Sequence, residues 1–350
     1  MDLKLTTKER LVLYGLSRYP GLSDIDLATK IGVDRSTIFK SKRKFRDWQL
    51  IKLLNVPAGK VVGAEILTVV VSRFQPTAEV DLHKGNPLSG WVDQPSCVFH
   101  SQTSTEAVSI LYSRSLTDQR KRMQKFMEDY QDRGLLEETQ AFYFPLEMTR
   151  YASESCLAVN DIFELNREDL PQDMTSFYLP DEESRLTEKD KMTLYAFIRH
   201  PMLSDLELSR RTGISRPTIS GKRTKFFQSG LLYREAFIDW QKICCELLTF
   251  YRIRFISSRN EVASKAISSI RGMGAPLFSY VQPGETFGAF LSSSYLDLKQ
   301  RMDASMRSLA SQGLVKGRPE LVIMPLEEIG ATKMDYAPMV AEMLDIGREI

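Results

Sequence analysis

The chain has 350 residues, of which 43% are hydrophobic and 26% are charged, and its formal net charge is +2. This length predicts two or more domains with substantial cores, and the composition is ordinary for a globular protein. No run of 18 apolar residues is present and the charged N-terminus MDLKLTTKER lacks a signal-peptide core, so we predict no membrane partner. The four cysteines show no CxxC spacing, which argues against a disulfide framework or a zinc finger and favours the cytoplasm.

Positive charge is concentrated in two blocks. Residues 3–54 contain 12 Lys and Arg against 5 Asp and Glu, and residues 186–234 contain 10 against 4. The rest of the chain is therefore net acidic. A solvated helix face explains either block alone equally well. Because both blocks have one pattern, we favour a polyanion as partner.

The two blocks belong to a tandem repeat. Residues 5–51 align with residues 186–232 at an offset of 181 without a gap, and 18 of the 47 positions are identical. The register continues from AEILTVVVSRF (64–74) to CELLTFYRIRF (245–255) and, at an offset of 179, from SRSLTDQRKRMQKFM to SSSYLDLKQRMDASM. Each unit is far longer than a solenoid repeat, so we predict a duplicated two-part module.

The first part of each unit predicts three helices. Thr6 and Glu9 begin the first helix as a capping box, Ser23 begins the second, Gly32 ends it, and Asp34 caps a basic third helix. The counterparts in the second copy are Thr187, Asp190, Ser204, Gly213 and Ser215. A short helix, a turn with glycine and a capped basic helix are typical of a helix-turn-helix.

The second part of each unit predicts the order βαββαβ of a ferredoxin-like domain. In the second copy a strand is followed by a helix (260–274), two strands around Pro283-Gly284, an amphipathic helix (295–313) and a last strand (320–326). The first copy is similar, but VDLHKGNPLSGW (80–91) predicts a short or irregular first helix.

The predicted fold class is therefore α+β, with two copies of a winged-helix-like helix-turn-helix domain followed by a ferredoxin-like domain. The predicted boundaries are 1–56 and 57–150 for the first copy, 151–184 for a linker, 185–236 and 237–330 for the second copy, and 331–350 for a C-terminal helix.

This order of elements resembles the leucine-responsive (Lrp/AsnC) family of transcriptional regulators. The motifs that carry the resemblance are DLATKIGVDRSTIFKSKRKFRDWQLI and ELSRRTGISRPTISGKRTKFFQSGLL. The family usually has one unit per chain, whereas this chain has two. The resemblance implies a sequence-specific regulator in which two non-identical recognition helices form a pseudo-dimer on double-stranded DNA. It leaves open a small-molecule effector at the ferredoxin-like domains and assembly into homo-oligomers.

The outward face of the third helix supplies the candidate DNA contacts, because a recognition helix enters the major groove with its N-terminal turns. Lys and Arg bind phosphates or guanine edges, and Ser and Thr suit either. The predicted DNA-binding residues are Arg35, Ser36, Thr37, Lys40, Arg43 and Lys44 in the first copy, and Arg216, Thr218, Lys222, Arg223 and Lys225 in the second. Thr37 and Thr218 have an alternative role as residues that hydrogen-bond the helix backbone. Lys42 and Arg223 lie near the inward edge of the helix. Their alternative role is to pack their aliphatic stems against the helix group without contacting DNA.

Two alternatives to the regulator stay open: an enzyme of the siroheme decarboxylase type, and a non-regulatory DNA-binding or scaffold protein. Siroheme decarboxylases resemble the same fold, and their chemistry requires placed His or Arg groups in the second part. The histidines are His83, His100 and His200, at positions that do not match between the copies. We find no Gly-rich phosphate loop and no metal-ligand spacing in the sequence. We therefore predict that the chain is not an enzyme, that it has no catalytic residue, cofactor or metal, and we assign no cofactor-binding residue.

Overall fold

The computed structural model describes residues 3–78, 80, 82, 85–167, 186–243 and 245–347. In these ranges α-helices are combined with antiparallel β-sheets, which confirms the α+β class. His83 and positions 168–184 of the predicted linker lie outside the described residues. Within the described ranges, no helix has both the length and the apolar character needed to cross a membrane.

The helices and strands are numbered in chain order. The helices are α1 (Thr7–Arg18), α2 (Asp24–Ile31), α3 (Arg35–Asp47), α4 (Ser89–Val92), α5 (Leu116–Tyr130), α6 (Ser155–Ile162), α7 (Glu188–Arg199), α8 (Asp205–Thr212), α9 (Arg216–Gln228), α10 (Asn260–Arg271), α11 (Tyr295–Ser311) and α12 (Ala337–Met343). The strands are β1 (Ile51–Pro57), β2 (Ile66–Phe74), β3 (Cys97–Gln102), β4 (Glu106–Ser113), β5 (Leu136–Pro145), β6 (Arg150–Ser153), β7 (Leu232–Ile238), β8 (Leu247–Arg254), β9 (Ala275–Gln282), β10 (Glu285–Ser292), β11 (Glu320–Pro325) and β12 (Ala331–Met334).

The chain divides into two compact units, each of which combines discontinuous segments. The first unit comprises Met1–Leu54, Thr149–Phe177 and Arg234–Glu327, and the second comprises Asn55–Met148, Tyr178–Tyr233 and Glu328–Ile350. Each unit therefore contains a group of three helices from one sequence copy and a five-stranded sheet built mainly from the other copy.

Local signals in the sequence explain where most helices of the three-helix groups begin. Thr6 N donates to Glu9 Oε2 over 2.9 Å and Glu9 N donates to Thr6 Oγ1, which confirms the capping box of α1. The equivalent box at α7 is formed by Thr187 and Asp190. The third helices differ from the prediction. Asp34 occupies the N-cap position of α3 without a capping hydrogen bond, and its carboxylate lies 3.7 Å from Lys8 Nζ.

At α9 the corresponding N-cap residue also makes no capping bond. Ser215 Oγ instead lies 2.8 Å from Thr218 Oγ1 one turn further along the helix. The structure therefore confirms Asp34 and Ser215 as the N-cap residues of α3 and α9, but neither side chain makes a capping hydrogen bond.

The sheet of the second unit has the strand order β12-β3-β4-β2-β5, with antiparallel neighbours throughout. The register places Ser109 on β4 between Val70 on β2 and His100 on β3. The helix predicted to be irregular is the single turn α4, and its Trp91 packs against Phe126 of α5 with 4.3 Å between the ring centroids. This contact belongs to the core on one face of the sheet.

The sheet of the first unit has the strand order β11-β8-β10-β9-β6, again antiparallel. Gly288 on β10 lies between Tyr251 on β8 and Ser279 on β9. The edge strand β6 pairs with β9 so that Ala152 lies opposite Ser279. The segment predicted as a linker thus contains a strand and the helix α6, and the segment predicted as a C-terminal helix contains β12 as well as α12.

Candidate functional site

The predicted DNA contacts on α3 fall into two groups. Arg35, Ser36, Lys40 and Arg43 are exposed and Thr37 is half-buried. Lys44 instead turns back onto its own helix group, where its Nζ donates to Glu9 Oε1 over 2.5 Å and lies 4.3 Å from the centre of the Trp48 ring. Lys42, on the inward edge, forms an ion pair with Asp24 of α2.

The contacts predicted on α9 divide in the same way. Arg216, Thr218 and Lys225 are exposed. Lys222 is paired with Asp190 of α7, and Arg223 Nε donates to Asp205 Oδ1 of α8 over 2.7 Å. These basic residues neutralise acids that lie within the same helix group. The assignment of the exposed residues to DNA stays a prediction.

A small pocket, with room for about one water molecule, lies in the first unit between the middle of its sheet and α10. One side of the pocket is apolar, and the other side carries ionisable and hydroxyl groups. The apolar lining consists of Ile267, Ile270, Pro276 and Phe290, and the polar lining consists of Glu154, Tyr251, Arg271, Ser279 and Thr286.

The absence of a side chain at Gly288 shapes this pocket. A Cβ atom there would lie 2.5 Å from the Tyr251 hydroxyl oxygen and 2.5 Å from the Phe278 carbonyl oxygen. Glycine therefore allows the phenol of Tyr251 to lie across β10 towards Ser279. Burial raises the pKa of Tyr251, so its hydroxyl stays protonated at neutral pH.

Glu154 follows directly after β6, and its backbone N–H donates to Leu277 O over 2.7 Å. Its side chain is only 3% exposed. Oε1 accepts a 2.5 Å hydrogen bond from Arg271 Nε, and Oε2 lies 3.5 Å from Ser279 Oγ. Burial raises the pKa of Glu154, although Arg271 acts in the opposite direction. The pocket therefore contains a buried carboxyl group with an elevated affinity for a proton.

Arg271 is the last residue of α10, where a cation is favoured by the helix dipole. Only its Nε is committed to Glu154. Its two Nη groups donate to no other residue in the part of the chain that the structure describes, and the side chain is 22% exposed. The guanidinium thus has a free donor edge at the pocket.

The second unit has a different polar cluster at the equivalent place in its sheet. His100 Nδ1 lies 2.9 Å from Ser109 Oγ, and His100 Nε2 lies 3.1 Å from Gln102 Oε1. Trp91 Nε1 donates to the same Ser109 hydroxyl over 3.3 Å. Burial lowers the pKa of His100 to about 4, so the imidazole is neutral. Among the described residues, no group of three or more His, Cys, Asp or Glu side chains is placed to hold a metal ion.

Sequence reasoning missed the residues of the pocket. Glu154 lies in the predicted linker, 117 positions before Arg271, and no spacing pattern connects the two. A signal was nevertheless present in the repeat: Val70 and Ser109 of the first copy align with Tyr251 and Gly288 of the second. The second copy thus has a larger side chain on one strand, Tyr251 in place of Val70, and none on the neighbouring strand, Gly288 in place of Ser109. Such a paired change of size indicates a local change of packing.

Comparison with known proteins gives no match to any family model and no match in sequence to a curated protein. The fold, in contrast, is similar to that of solved structures. The siroheme decarboxylase NirDL corresponds to 97% of this chain and 99% of its own, with a TM-score of 0.53 and 12% identity. Its complex with an iron-uroporphyrin III analogue gives the same values. The regulators LrpC of B. subtilis and AsnC of E. coli, both 17% identical, cover 41% and 40% of this chain with TM-scores of 0.31.

These comparisons overturn two predictions made from the sequence. NirDL, which corresponds to 97% of this chain, is an enzyme, whereas the two regulators correspond to well under half of the chain. The predicted transcriptional regulator is therefore wrong, and so is the prediction that the chain is not an enzyme. At 12% identity, the likeness to NirDL establishes the fold and not the residues of a site.

Proposed function

We propose that this chain is an enzyme of the siroheme decarboxylase type, which acts on an iron tetrapyrrole that bears carboxylate side chains. The observation that carries the proposal is the correspondence with NirDL over 97% of this chain and 99% of that one. Both copies of the repeat are included in this correspondence, so the proposal concerns the whole chain.

The proposal includes the duplicated domain plan, with a helix-turn-helix and a ferredoxin-like domain in each copy. The strand orders support it. Without the edge strand at one end, β5-β2-β4-β3 and β11-β8-β10-β9 have the same antiparallel order of sequential strands, 4-1-3-2. Each sheet then gains an edge strand from outside these four: β12, which follows β2–β5 in the chain, and β6, which precedes β8–β11. We propose the boundaries 1–56, 57–150, 185–236 and 237–330 for the four domains.

The chemistry of the pocket in the first unit also supports an enzyme that acts on carboxylates. Decarboxylation breaks the C–C bond to a carboxylate, releases CO₂ and leaves a carbon atom that takes up a proton. In this chain, Arg271 binds and orients the carboxylate through its free Nη groups. Tyr251 holds a proton at its hydroxyl oxygen, because burial raises the pKa of that group. The apolar wall formed by Ile267, Ile270 and Phe290 keeps water away from the reacting group.

The size of the pocket limits what enters it. The cavity has room for about one water molecule. We therefore propose that the reacting carboxylate meets Arg271 at the mouth of the cavity, where this side chain is partly exposed, and that the macrocycle stays outside. We assign no residue to the ring.

The internal ion pairs of the basic helices agree with a role other than phosphate binding. Lys44, Lys222 and Arg223 are each paired with an acid of the same helix group. A cation that already neutralises a partly buried acid contributes less to counterion release on a nucleic acid.

The test is an anaerobic incubation of the purified full-length protein with siroheme, followed by mass spectrometry of the tetrapyrrole. We expect products that have lost CO₂, and we expect an absorbance change when iron-uroporphyrin is titrated into the protein. Lys40→Ala, an exposed change on α3, serves as a control and keeps both signals. If the protein neither binds the tetrapyrrole nor removes a carboxyl group from siroheme, the proposal is overturned.

A further inference from the structure

We infer that the cavity between α10 and the sheet of the first unit is a binding site for one ordered water molecule. This water donates hydrogen bonds to the Glu154 carboxylate and to the Tyr251 hydroxyl oxygen, and it accepts one from Ser279. It keeps Glu154 ionised and therefore paired with Arg271. The inference concerns the interior of the first unit and does not depend on the proposed function.

The contact between Ser279 and Glu154 shows where a further partner is needed. Ser279 Oγ lies 3.5 Å from Glu154 Oε2, whereas a hydrogen bond between two oxygen atoms is ordinarily about 2.7–2.8 Å long. This long contact is the one hydrogen bond that the described residues provide to Oε2 of a buried carboxylate, which has several acceptor positions. A water molecule beside the contact bonds to both oxygen atoms.

The hydroxyl group of Tyr251 supplies the third partner. Thr286 Oγ1 donates its own hydrogen to Tyr280 O over 2.9 Å, so the hydrogen bond between Tyr251 and Thr286 uses the hydrogen of Tyr251. The oxygen of Tyr251 then keeps its acceptor positions for another donor. A water that donates to Glu154 and Tyr251 and accepts from Ser279 makes about three hydrogen bonds, which is typical of buried water.

The size and charge of the cavity select water over small ions. The cavity has room for about one water molecule. An anion would meet the carboxylate of Glu154 and a cation would meet the guanidinium of Arg271, and like charges at such short range repel strongly. A neutral molecule that both donates and accepts hydrogen bonds suits both groups. The hydrocarbon of Ile267, Ile270 and Phe290 offers no polar partner to a second molecule.

The second unit fills the equivalent position with a side chain. Trp91 aligns with Ile270, and its indole N–H donates to the Ser109 hydroxyl over 3.3 Å. The aligned residues of the first unit, Ile270 and Gly288, carry no polar side-chain atom. The water therefore supplies in one copy the polar atom that the indole supplies in the other.

The water affects the charge of Glu154. The charged or titratable side chains that interact with this carboxyl group are Arg271 of α10, Tyr251 of β8 and Cys156 of α6. Burial raises the pKa of Tyr251 and Cys156, so both are neutral at neutral pH. Burial also raises the pKa of Glu154, and Arg271 opposes this effect. A hydrogen bond from the water favours the carboxylate in the same way, so loss of the water should raise the proton affinity of Glu154.

The first measurement is a crystal structure of the full-length protein at a resolution that shows ordered water. We expect one peak of electron density in the cavity, about 2.5–3.2 Å from Glu154 Oε2, Ser279 Oγ and the Tyr251 hydroxyl oxygen. This measurement requires no substitution, so it remains valid if a variant fails to fold. A cavity without such a peak would overturn the inference, and so would a direct bond of ordinary length between Ser279 and Glu154.

Two substitutions of Ser279 separate the water from the direct contact with Glu154. Ser279→Ala and Ser279→Val both remove the hydroxyl group, but alanine leaves room for the water whereas valine fills the cavity. Infrared spectroscopy follows the protonation of Glu154, and Glu154→Gln assigns its band. Ser279→Val should raise the proton affinity of Glu154 about tenfold, the effect of one lost hydrogen bond to a charged group. Ser279→Ala should raise it clearly less.

Ser292→Val is the matched control. Ser292 is also a buried serine in the sheet of the first unit, on β10, and it does not line the cavity. Its replacement should leave the pKa of Glu154 unchanged. Equal rises for Ser279→Ala and Ser279→Val would assign the effect to the direct contact and overturn the inference, as would no rise for Ser279→Val. None of these measurements involves siroheme, so this inference and the proposed function can each fail without the other.

Discussion

The two sheets differ most in the middle, at three residues that lie side by side on three neighbouring strands. The second unit has Val70, Ser109 and His100 there, and the first unit has Tyr251, Gly288 and Ser279. In the second unit the polar atoms bond to one another beneath a fully buried indole. In the first unit they border a pocket. One fold therefore contains a fully packed core in one unit and a small cavity in the other, and the exchange of a few residues decides between them.

The residue that the covering helix places above these three positions explains why the second unit has no cavity there. At the offset of 179, Trp91 of α4 aligns with Ile270 of α10. The indole fills the space above Ser109 and donates a hydrogen bond to it. Isoleucine is smaller and has no donor, so it leaves room beside Tyr251 and Ser279. Packing at full density in one copy and a pocket in the other follow from this difference in side-chain volume.

Trp91→Ala should have the largest effect on stability. The side chain is 1% exposed and packs against Phe126, so its removal leaves a cavity and should lower the free energy of unfolding by about 4 kcal/mol. Ile270→Ala should cost about 2 kcal/mol, because part of its surface already faces a pocket. Urea denaturation measures both values. Equal losses for the two variants would contradict the view that the surroundings of Trp91 are fully packed whereas those of Ile270 contain a cavity.

The second prediction concerns the stability of the protein at acid pH. Burial lowers the pKa of His100 to about 4 from an ordinary value of 6.5. The unfolded chain therefore binds the proton more readily, and the stability that depends on neutral His100 is present above pH 6.5 and is lost as the pH falls towards 4. The full loss should be up to about 3 kcal/mol. Denaturation at pH 4.5 and pH 7.5 measures it, and His100→Gln should remove most of this difference.

The buried acid Glu235 should respond to pH with the opposite sign. It accepts a 2.6 Å hydrogen bond from the Tyr151 hydroxyl, and burial raises its pKa. The folded state then favours the protonated acid, so stability falls as the pH rises above the ordinary value near 4.5. Glu235→Gln keeps an acceptor for Tyr151 and removes the charge. Its stability relative to the unmodified protein should therefore increase with pH, and a constant difference between pH 4.5 and pH 7.5 would contradict this account.

Gly288→Ala tests whether Tyr251 needs a glycine beside it at the cavity of the first unit. The added Cβ would approach both the Tyr251 hydroxyl and the Phe278 carbonyl oxygen at 2.5 Å, so we expect a cost of about 2 kcal/mol. In a Tyr251→Phe background the contact with the hydroxyl is absent and the cost should fall by about 1 kcal/mol, which a double-mutant cycle measures. The remaining cost belongs to the carbonyl of Phe278. Additive effects of the two substitutions would show that Tyr251 does not require the glycine.

Much of the fold was predictable because its signals are local or repeat along the chain. The capping boxes at Thr6 and Thr187, the glycine ends of α2 and α8 and the irregular α4 follow from short sequence patterns, and the repeat indicated the strands. The edge strands β6 and β12 were not predicted. A short edge strand depends on a partner strand that lies far away in the sequence, and no local pattern specifies that partner.

The candidate site was not predictable for the same reason. Glu154 reaches Arg271 only because β6 pairs with β9, and the two residues are separated by 117 positions. The sequence instead drew attention to the basic helices. Their charge is partly balanced by acids of the same helix group, and this pairing appears only in three dimensions.

The smallest expected change in the free energy of unfolding comes from two equivalent ion pairs, one in each helix group. Lys42 pairs with Asp24, and Arg223 pairs with Asp205 at the aligned positions. Arg223 also donates to Leu203 O over 3.2 Å and lies 4.4 Å from the centre of the Phe197 ring. Lys42→Ala should therefore cost about 0.5 kcal/mol, the value typical of a partly exposed pair, and Arg223→Ala about 1.5 kcal/mol.

Salt separates the two contributions. Raising the ionic strength to about 1 M shortens the screening length to about 3 Å, so the cost of Lys42→Ala should almost disappear. Arg223→Ala should retain most of its cost, because the backbone hydrogen bond and the contact with the ring do not depend on a second charge. Lys40→Ala, at an exposed position without an ion pair in the described ranges, should change the free energy of unfolding by less than about 0.5 kcal/mol at either salt concentration. Equal costs for Lys42→Ala and Arg223→Ala in low salt would mean that the ion pair alone accounts for both, and that the ring and the carbonyl contribute nothing measurable.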